Sequence, residues 1–429
     1  MTRNRIAARI RRWLTSLPVI AAVALALRLG FAWNYQSQFS RQALSVIPFL
    51  FESGNIAHSL ATGGGFGSPF RIDTGPTAWT TPVYPLLLSG VMRVFGPYTF
   101  RSYVAAVLLN IGFSTLACVP LFAAGRRIGG VPVAAGATWL WAIFPNAILL
   151  TYQSLWETSL SALLGATLLW ATLAVAESRR ARAWCAYGLL CGLILMTNAA
   201  LLSLLPLLGG WAAWRVCRSG APWLRNLALA AGLAALCSVP WTVRNYAVFH
   251  SFIPLRSVLG LQLWVGNNPQ AQVVWLGGQH PIHDSAERSR YVELGEIAYM
   301  RQMEQKALCY MLTHPRHEAS LIAGRLVSLW SGGTPTPLKD FWNSRSAWFR
   351  YVLLFNLAAA LGAVIGLVRL LRARSIYVFP VAVFPLVFPC AYYLTLALPR
   401  YRHPIDPALM LLLALALVPG HTCAPGARD

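Results

Sequence analysis

Long apolar runs alternate with short basic stretches along almost the whole chain. About 20 apolar residues in helical form cross the hydrocarbon of a bilayer. Runs of that kind are expected as spans at a first segment ending near Trp33, and then at about 101–124, 131–150, 155–176, 184–198, 200–215, 223–241, 347–370, 376–397 and 405–420. The stretch 184–215 is one apolar run interrupted at TNAA, and its halves are short, so the number of spans lies between about eight and ten. The opening MTRNRIAARIRR followed by an apolar core resembles a secretory signal. Its apolar run is long for one, and the reading is an uncleaved first span with a cytoplasmic N-terminus.

Threading from that start puts Arg126 and Arg127, then Arg179, Arg180 and Arg182, then Arg215, Arg218 and Arg225, then Arg369, Arg372 and Arg374 in inside loops. Every such loop is basic, as topology in an inner (plasma) membrane requires. Two long segments fall on the extracytoplasmic face. In the first, 34–100, the pattern predicts a helix from Leu44 to Ala61, a Gly-rich turn at GGGFGSPF, and a second helix from Pro85 to Phe95. That second helix is too short to cross and suits the membrane surface. In the other, 242–346, DSAERSRYVELGEIAYMRQMEQKALCYMLTH reads as one amphipathic helix, with Val292, Ile297, Met300, Met303, Leu308 and Met311 at helical intervals. Asp284 and Glu287 have capping-box spacing, and Pro315 opens the next helix. The chain thus divides into a transmembrane region 1–241 that includes the outer loop 34–100, an extracytoplasmic helical segment 242–346 and C-terminal transmembrane helices 347–429. The fold class is all-α and polytopic.

Composition agrees with this reading. Of 429 residues, 57% are hydrophobic and only 11% charged, and the mean hydropathy is +0.54; soluble domains carry about 25% charged residues. A net charge of +22 would point to nucleic acid in a soluble protein. Here the excess is almost all Arg flanking apolar runs, so nucleic acid is not an expected partner. The eight Cys include no CxxC pair and read as small hydrophobes rather than as a metal or disulfide framework. No P-loop, HExxH, GxSxG or Rossmann pattern lies in a fitting context.

The scarcity of acids makes their placement informative. Seven of the 13 lie in 242–346. Glu177 sits beside SRRARA as a solvated inside charge. Glu52, Asp73, Glu157 and Asp406 all map to the outer membrane border, where ionisable groups are often functional. Glu52, in IPFLFESGNIAHSL, has little polar company and is the strongest candidate. Glu157, at the outer start of a span, is either a helix N-terminal acid favoured by the dipole or a site acid facing Glu52. Asp73, in FRIDTGPTAW, has turn chemistry, and is also a candidate for substrate binding. Asp406 is expected to start a helix or pair with Arg400 or Arg402; His403 beside them reads as structural. Arg244, Arg400 and Arg402 stand where spans exit on the same side. Their planar, permanently charged forks suit phosphate, although Arg residues at an interface also serve as anchors.

These stretches carry a resemblance. FESGNIAHSLATGGGF, TGPTAWTTPVYPLLLSGVMRVFG, SLWETSL, PWTVRNYAVFHSFIPLRSVLGLQLWVGNNP and PRYRHPIDP, in this order and spacing, resemble the GT-C superfamily glycosyltransferases of the dolichyl-phosphate-mannose–protein mannosyltransferase-like group, to which the lipid A aminoarabinose transferases are related. The resemblance implies a GT-C-like helical bundle and a sugar donor carried on a polyprenyl phosphate. It also implies chemistry at the outer face on a lipid, glycan or protein acceptor. It gives Glu52 the role of catalytic base, although the family often has Asp or an Asp–Glu pair where Phe51 and Glu52 stand here. It makes Glu157 the second outer-loop acid, positioning the acceptor or sharing a divalent cation with Glu52. Arg244, Arg400 and Arg402 then serve the lipid phosphate. Two other classes compete: a transporter or flippase of a lipid-linked sugar, and a non-catalytic envelope-assembly protein. Transporters tend to carry internal repeats and midplane charges; here the acids crowd one face, and the sequence shows no inverted repeat.

Overall fold

The computed structural model describes residues 13–274 and 277–418. Its architecture is helical throughout, and the described residues contain one isolated antiparallel bridge, Gly67 to Pro76, and no strand. Six helices are long and apolar enough to cross a membrane: Leu17–Ser37, Phe100–Ile143, Thr158–Val175, Ala199–Cys217, Trp223–Phe249 and Ala347–Arg372. Three shorter apolar helices, Val83–Phe95, Ala181–Leu195 and Val378–Leu394, accompany them. The helical stretch Phe100–Ile143 turns at Gly129–Gly130, directly after Arg126 and Arg127, and so accounts for two of the expected passes. Straight, its 44 residues would reach about twice the ~30 Å of a bilayer core. This is an integral membrane protein of polytopic design. Residues 1–12 and 419–429, with the expected cytoplasmic N-terminus, Cys423 and the end of the last expected span, lie outside the described residues.

Element boundaries differ from expectation where Pro and Gly intervene. The single helix expected over 44–61 is a short helix, Arg41–Val46, a 3₁₀ turn, Ile47–Phe49, and a second helix, Glu52–Ala61. Pro48 has no N–H with which to continue the ladder. The expected long helix after Asp284 is two helices, Ser285–Leu294 and Glu296–Thr313, broken at Gly295, whose φ of 75° belongs to the left-handed region. Asp284 does cap the first, accepting from the backbone N–H groups of Ala286 at 2.9 Å and Glu287 at 3.2 Å. Pro315 opens Pro315–Ser331. The break changes which face is buried: Met300 and Met303 are inside, but Val292 and Leu308 are exposed, and Tyr291 and Tyr299 fill the core instead. The seven described Cys are free thiols; Cys118 and Cys191 are buried, whereas Cys217, Cys309 and Cys390 are exposed.

Two internal contacts set the bundle around the site. Arg28, in the middle of Leu17–Ser37, is fully buried. It donates from Nε to Ser114 Oγ at 2.9 Å and from its two terminal nitrogens to the carbonyls of Ala24, Trp141 and Ala142 at 3.0–3.2 Å. Trp141 and Ala142 belong to the last turn of Cys118–Ile143, where carbonyls run out of i+4 partners; Trp141 also takes the Phe144 N–H at 3.3 Å, and no water in hydrocarbon can supply the rest. The second contact is at Gly165 in Thr158–Val175. A Cβ there would lie 2.1 Å from the carbonyl oxygen of Pro404. Only a bare α-carbon lets this helix touch the turn His403–Ile405, as small residues do between membrane helices.

Candidate active site

Four distant stretches meet around one cavity of about 480 Å³. The first brings Glu52. Phe51 ends the preceding turn in extended conformation, so Glu52 is the first residue of its helix. Phe51 packs on Trp156 with ring centroids 4.6 Å apart. The second brings Trp156 and Glu157. Glu157 occupies the cap position of Thr158–Val175 but makes no side-chain cap bond, so its carboxylate is not consumed by the helix end and lines the cavity. The third is the one-turn helix Pro399–Arg402, held in place through the contact of Pro404 with Gly165. It brings Arg400, whose guanidinium carbon lies 3.7 Å from the centroid of the Trp156 ring and 5.1 Å from that of Tyr401. Arg400 donates to Tyr401 Oη at 3.3 Å, while its Nε is buried without a hydrogen-bond partner. The fourth, from 242–346, brings Arg256, His280 and His283. Apolar and aromatic walls, among them Trp79, Leu261, Val265 and Tyr392, complete the enclosure.

Electrostatics follow from this convergence. Burial pushes the Glu52 carboxyl above the usual carboxylate range; its own backbone amide, Arg400 and His283 oppose this, and Glu157 adds to it. The carboxylate keeps 22% side-chain exposure, toward the cavity. Such a group is a stronger base than a solvated Glu. Burial, then His283 and Arg400, push the His280 imidazole down to about 3.

Of the residues expected from the sequence, Glu52, Glu157 and Arg400 come together. The other three do not line the cavity. Asp73 is exposed in a turn, accepting from Ser68 Oγ at 2.8 Å and the Gly75 N–H at 3.0 Å. Arg244 is committed to the carbonyls of Thr77 at 2.7 Å and Phe66 at 2.6 Å and lies over the rings of Phe66, Trp241 and Phe249. It ties the segment 34–100 to the end of Trp223–Phe249, a helix that continues past the exit expected at 241. Arg402 is buried and donates to Asp406 at 2.8 Å, to the carbonyls of Leu329 and Trp330 and to Asn356. Its partner Asp406 also holds His403 at 3.0 Å. An arginine this fully bonded has no fork left for a ligand. Glu177 pairs with Arg127 at 3.2 Å on an exposed face.

Residues missed by the sequence reading lie in 242–346. Arg256 and His280 sit in stretches read as parts of a polar module. The run GGQHPIHD, with two His between turn residues, was the one available signal. Glu296 was missed too, because its importance depends on long-range partners: it accepts from Thr77 Oγ1, Ala78 N–H at 2.8 Å, Ser257 Oγ at 2.6 Å and Tyr291 Oη at 2.6 Å. Thr77–Ala78 and Ser257 adjoin the cavity-wall residues Trp79 and Arg256.

No protein-family model and no curated protein matches this sequence. Solved structures do match. The oligosaccharyltransferase AglB of Archaeoglobus fulgidus, in complex with an inhibitory peptide and a dolichol-phosphate, superposes with a TM-score of 0.55 at 15% identity over 94% of this chain and 50% of that one. The same organism's oligosaccharyltransferase with Zn and sulfate gives 0.52 at 14% identity over 94% and 48%. The chain has the GT-C fold. It spans about half the length of these oligosaccharyltransferase structures. ArnT of Cupriavidus metallidurans bound to undecaprenyl phosphate covers 93% of this chain and 77% of its own at 16% identity, with a TM-score of 0.38.

A Zn ion in one GT-C structure raises the question of a cation here. Among the described residues no group of three or more His, Cys, Asp or Glu side chains could hold a metal. The pair expected to share an ion, Glu52 and Glu157, lines the cavity together with Arg400, whose positive charge acts on both. Two carboxylates already facing a guanidinium make a poor divalent-cation set.

Proposed function

We propose that this GT-C chain is an integral membrane glycosyltransferase that moves a sugar from a polyprenyl-phosphate carrier to an acceptor hydroxyl at the outer face of the membrane. The observation that carries the reading is the meeting of Glu52, Glu157 and Arg400, from segments far apart in sequence, on one partly dry cavity with aromatic walls. Arg400 receives the phosphate: its guanidinium lies over the Trp156 ring and its Nε–H has no partner within the protein. Arg256 lies on the same cavity lining. Glu52 takes the proton of the acceptor hydroxyl as that oxygen attacks the anomeric carbon. The bond from that carbon to the phosphate oxygen breaks, its electron pair leaves with the lipid phosphate, and the configuration inverts. Fixed donors aimed at the developing charge are the main catalytic device in such a site. Glu157, its carboxylate unused by the helix cap, orients the acceptor. The dolichol-phosphate in the AglB structure is consistent with a lipid-phosphate donor.

The deciding experiment compares envelope glycans by mass spectrometry in cells with the protein, without it, and with Glu52→Gln. A glycan present only with the wild type supports the reading and names the sugar. General-base catalysis is worth roughly 10²–10⁴-fold, so the variant should fall by about that factor while inserting normally. Undiminished transfer by Glu52→Gln would remove Glu52 as base.

A further inference from the structure

His280 comes from the second long segment, yet its Nε2 stands 3.8 Å from Glu52 Oε1. Its Nδ1 accepts the Ile282 backbone N–H at 3.2 Å. A neutral imidazole with one nitrogen accepting carries its proton on the other, so the face turned to Glu52 is an N–H. The ring is held edge-to-face against Trp79 at 5.6 Å, and the side chain is 13% exposed. The groups acting on Glu52 are Arg400, Glu157 and His283 besides His280.

We propose that His280 is a positioning residue for Glu52, its Nε2–H holding the carboxylate through Oε1 so that Oε2 is presented to the acceptor hydroxyl. The proposal deepens the transferase reading and rests on it for the role of Glu52. A neutral donor suits this task. It favours the ionised carboxylate without adding a second cation to compete with Arg400 for phosphate. The suppressed basicity of His280 keeps it neutral throughout the range where a Glu base operates. A separation of 3.8 Å exceeds hydrogen-bond length, and contacts of this kind tighten when substrate fills the site. The arrangement also makes the site depend on docking of the 242–346 segment, because without it Glu52 loses both its donor and part of its wall.

The test needs no substrate. The full chain in lipid nanodiscs is titrated by infrared spectroscopy, and the protonated-carboxyl band that vanishes in Glu52→Gln reports Glu52. In His280→Phe the midpoint should rise by roughly 0.3–0.5 pH unit, less than the loss of a full hydrogen bond because the contact is long in the substrate-free site. In His280→Gln, which keeps an N–H donor, it should return toward wild type. A midpoint unmoved or lowered in His280→Phe, or equal in the two variants, overturns the proposal. Nitrogen-15 NMR of the wild type gives an answer even if a variant does not fold: the Nε2–H tautomer at neutral pH is expected, and a Nδ1–H or charged ring overturns it. Undiminished sugar transfer by Glu52→Gln would remove Glu52 as base, and with it the role of His280, whatever the titration shows. An inactive Glu52→Gln with an unmoved midpoint would sink only the role of His280.

Discussion

Glu52 was legible as a single residue because it is the one charge in an otherwise apolar or neutral stretch of a chain short of acids, and a group placed against its hydration preference asks for a reason. Its stability effect has a definite sign. The folded state raises its pKa, chiefly by burial, so folding favours the protonated form. The contribution is most favourable below the unfolded pKa of about 4.3 and is lost as pH rises through the folded pKa. Glu52→Gln should therefore melt above wild type at neutral pH in thermal unfolding of the detergent-solubilised protein, with the gap closing in acid. The same residue gives a rate prediction: transfer should rise with pH through an apparent pKa above the ordinary Glu range. Arg400 was equally legible as an outer-face Arg, but Arg244 and Arg402 looked the same in sequence. What separates them is whether nearby carbonyls and carboxylates take their forks, and that depends on contacts between residues such as Arg402 and Leu329 or Arg244 and Phe66. Arg400→Lys keeps the charge and loses the plane stacked on Trp156. It should weaken donor binding by roughly 10-fold, about 1.4 kcal/mol, as a raised KM in a donor titration.

Helices were read from apolar length, and that signal held wherever a run was long and uninterrupted, as over Ala347–Arg372. It blurred at single breakers. Gly295 ends one helix and starts another within a sequence that keeps helical periodicity on both sides, and periodicity alone does not register a one-residue kink. Arg28 passed unnoticed for the opposite reason: one charge within a long apolar run does not change the span assignment. In the structure it serves the buried carbonyls of Trp141 and Ala142 at the end of Cys118–Ile143. Arg28→Leu would leave the Ala142 carbonyl without this donor and the Trp141 carbonyl with the Phe144 N–H alone, and an unsatisfied buried group costs about 1–3 kcal/mol. The variant should insert but lose its monodisperse peak at a lower temperature in a size-exclusion thermostability assay. A melting point equal to wild type would remove this role.

At the scale of the whole molecule the site exists only by convergence, and two buried carboxylates hold different parts of it. Asp406 neutralises Arg402 inside the bundle, with His403 on its other oxygen. Glu296 gathers Thr77, Ala78, Ser257 and Tyr291, joining the two long connecting segments where they adjoin the cavity walls Trp79 and Arg256. The Asp406–Arg402 pair was expected from the sequence, because its partners stand only three and four residues away; the role of Glu296 was not, since Thr77 and Ala78 come from another part of the fold. Removing each should therefore fail differently. Asp406→Asn leaves a buried guanidinium without its counter-charge, a change that typically costs about 3–5 kcal/mol. It should lower the melting temperature of the entire bundle. Glu296→Gln puts an amide N–H among four donors in a region outside the long apolar helices. Its expected effect is local: faster amide hydrogen exchange over 66–79 and 255–261, with exchange in Thr158–Val175 and Ala347–Arg372 unchanged. Sugar transfer should fall mainly through KM, because the walls that contact substrate loosen while Glu52 and Arg400 stay on their own helices. If Glu296→Gln instead unfolds the bundle as Asp406→Asn does, the connecting segments are part of one cooperative unit with it, and the cavity cannot open by their release.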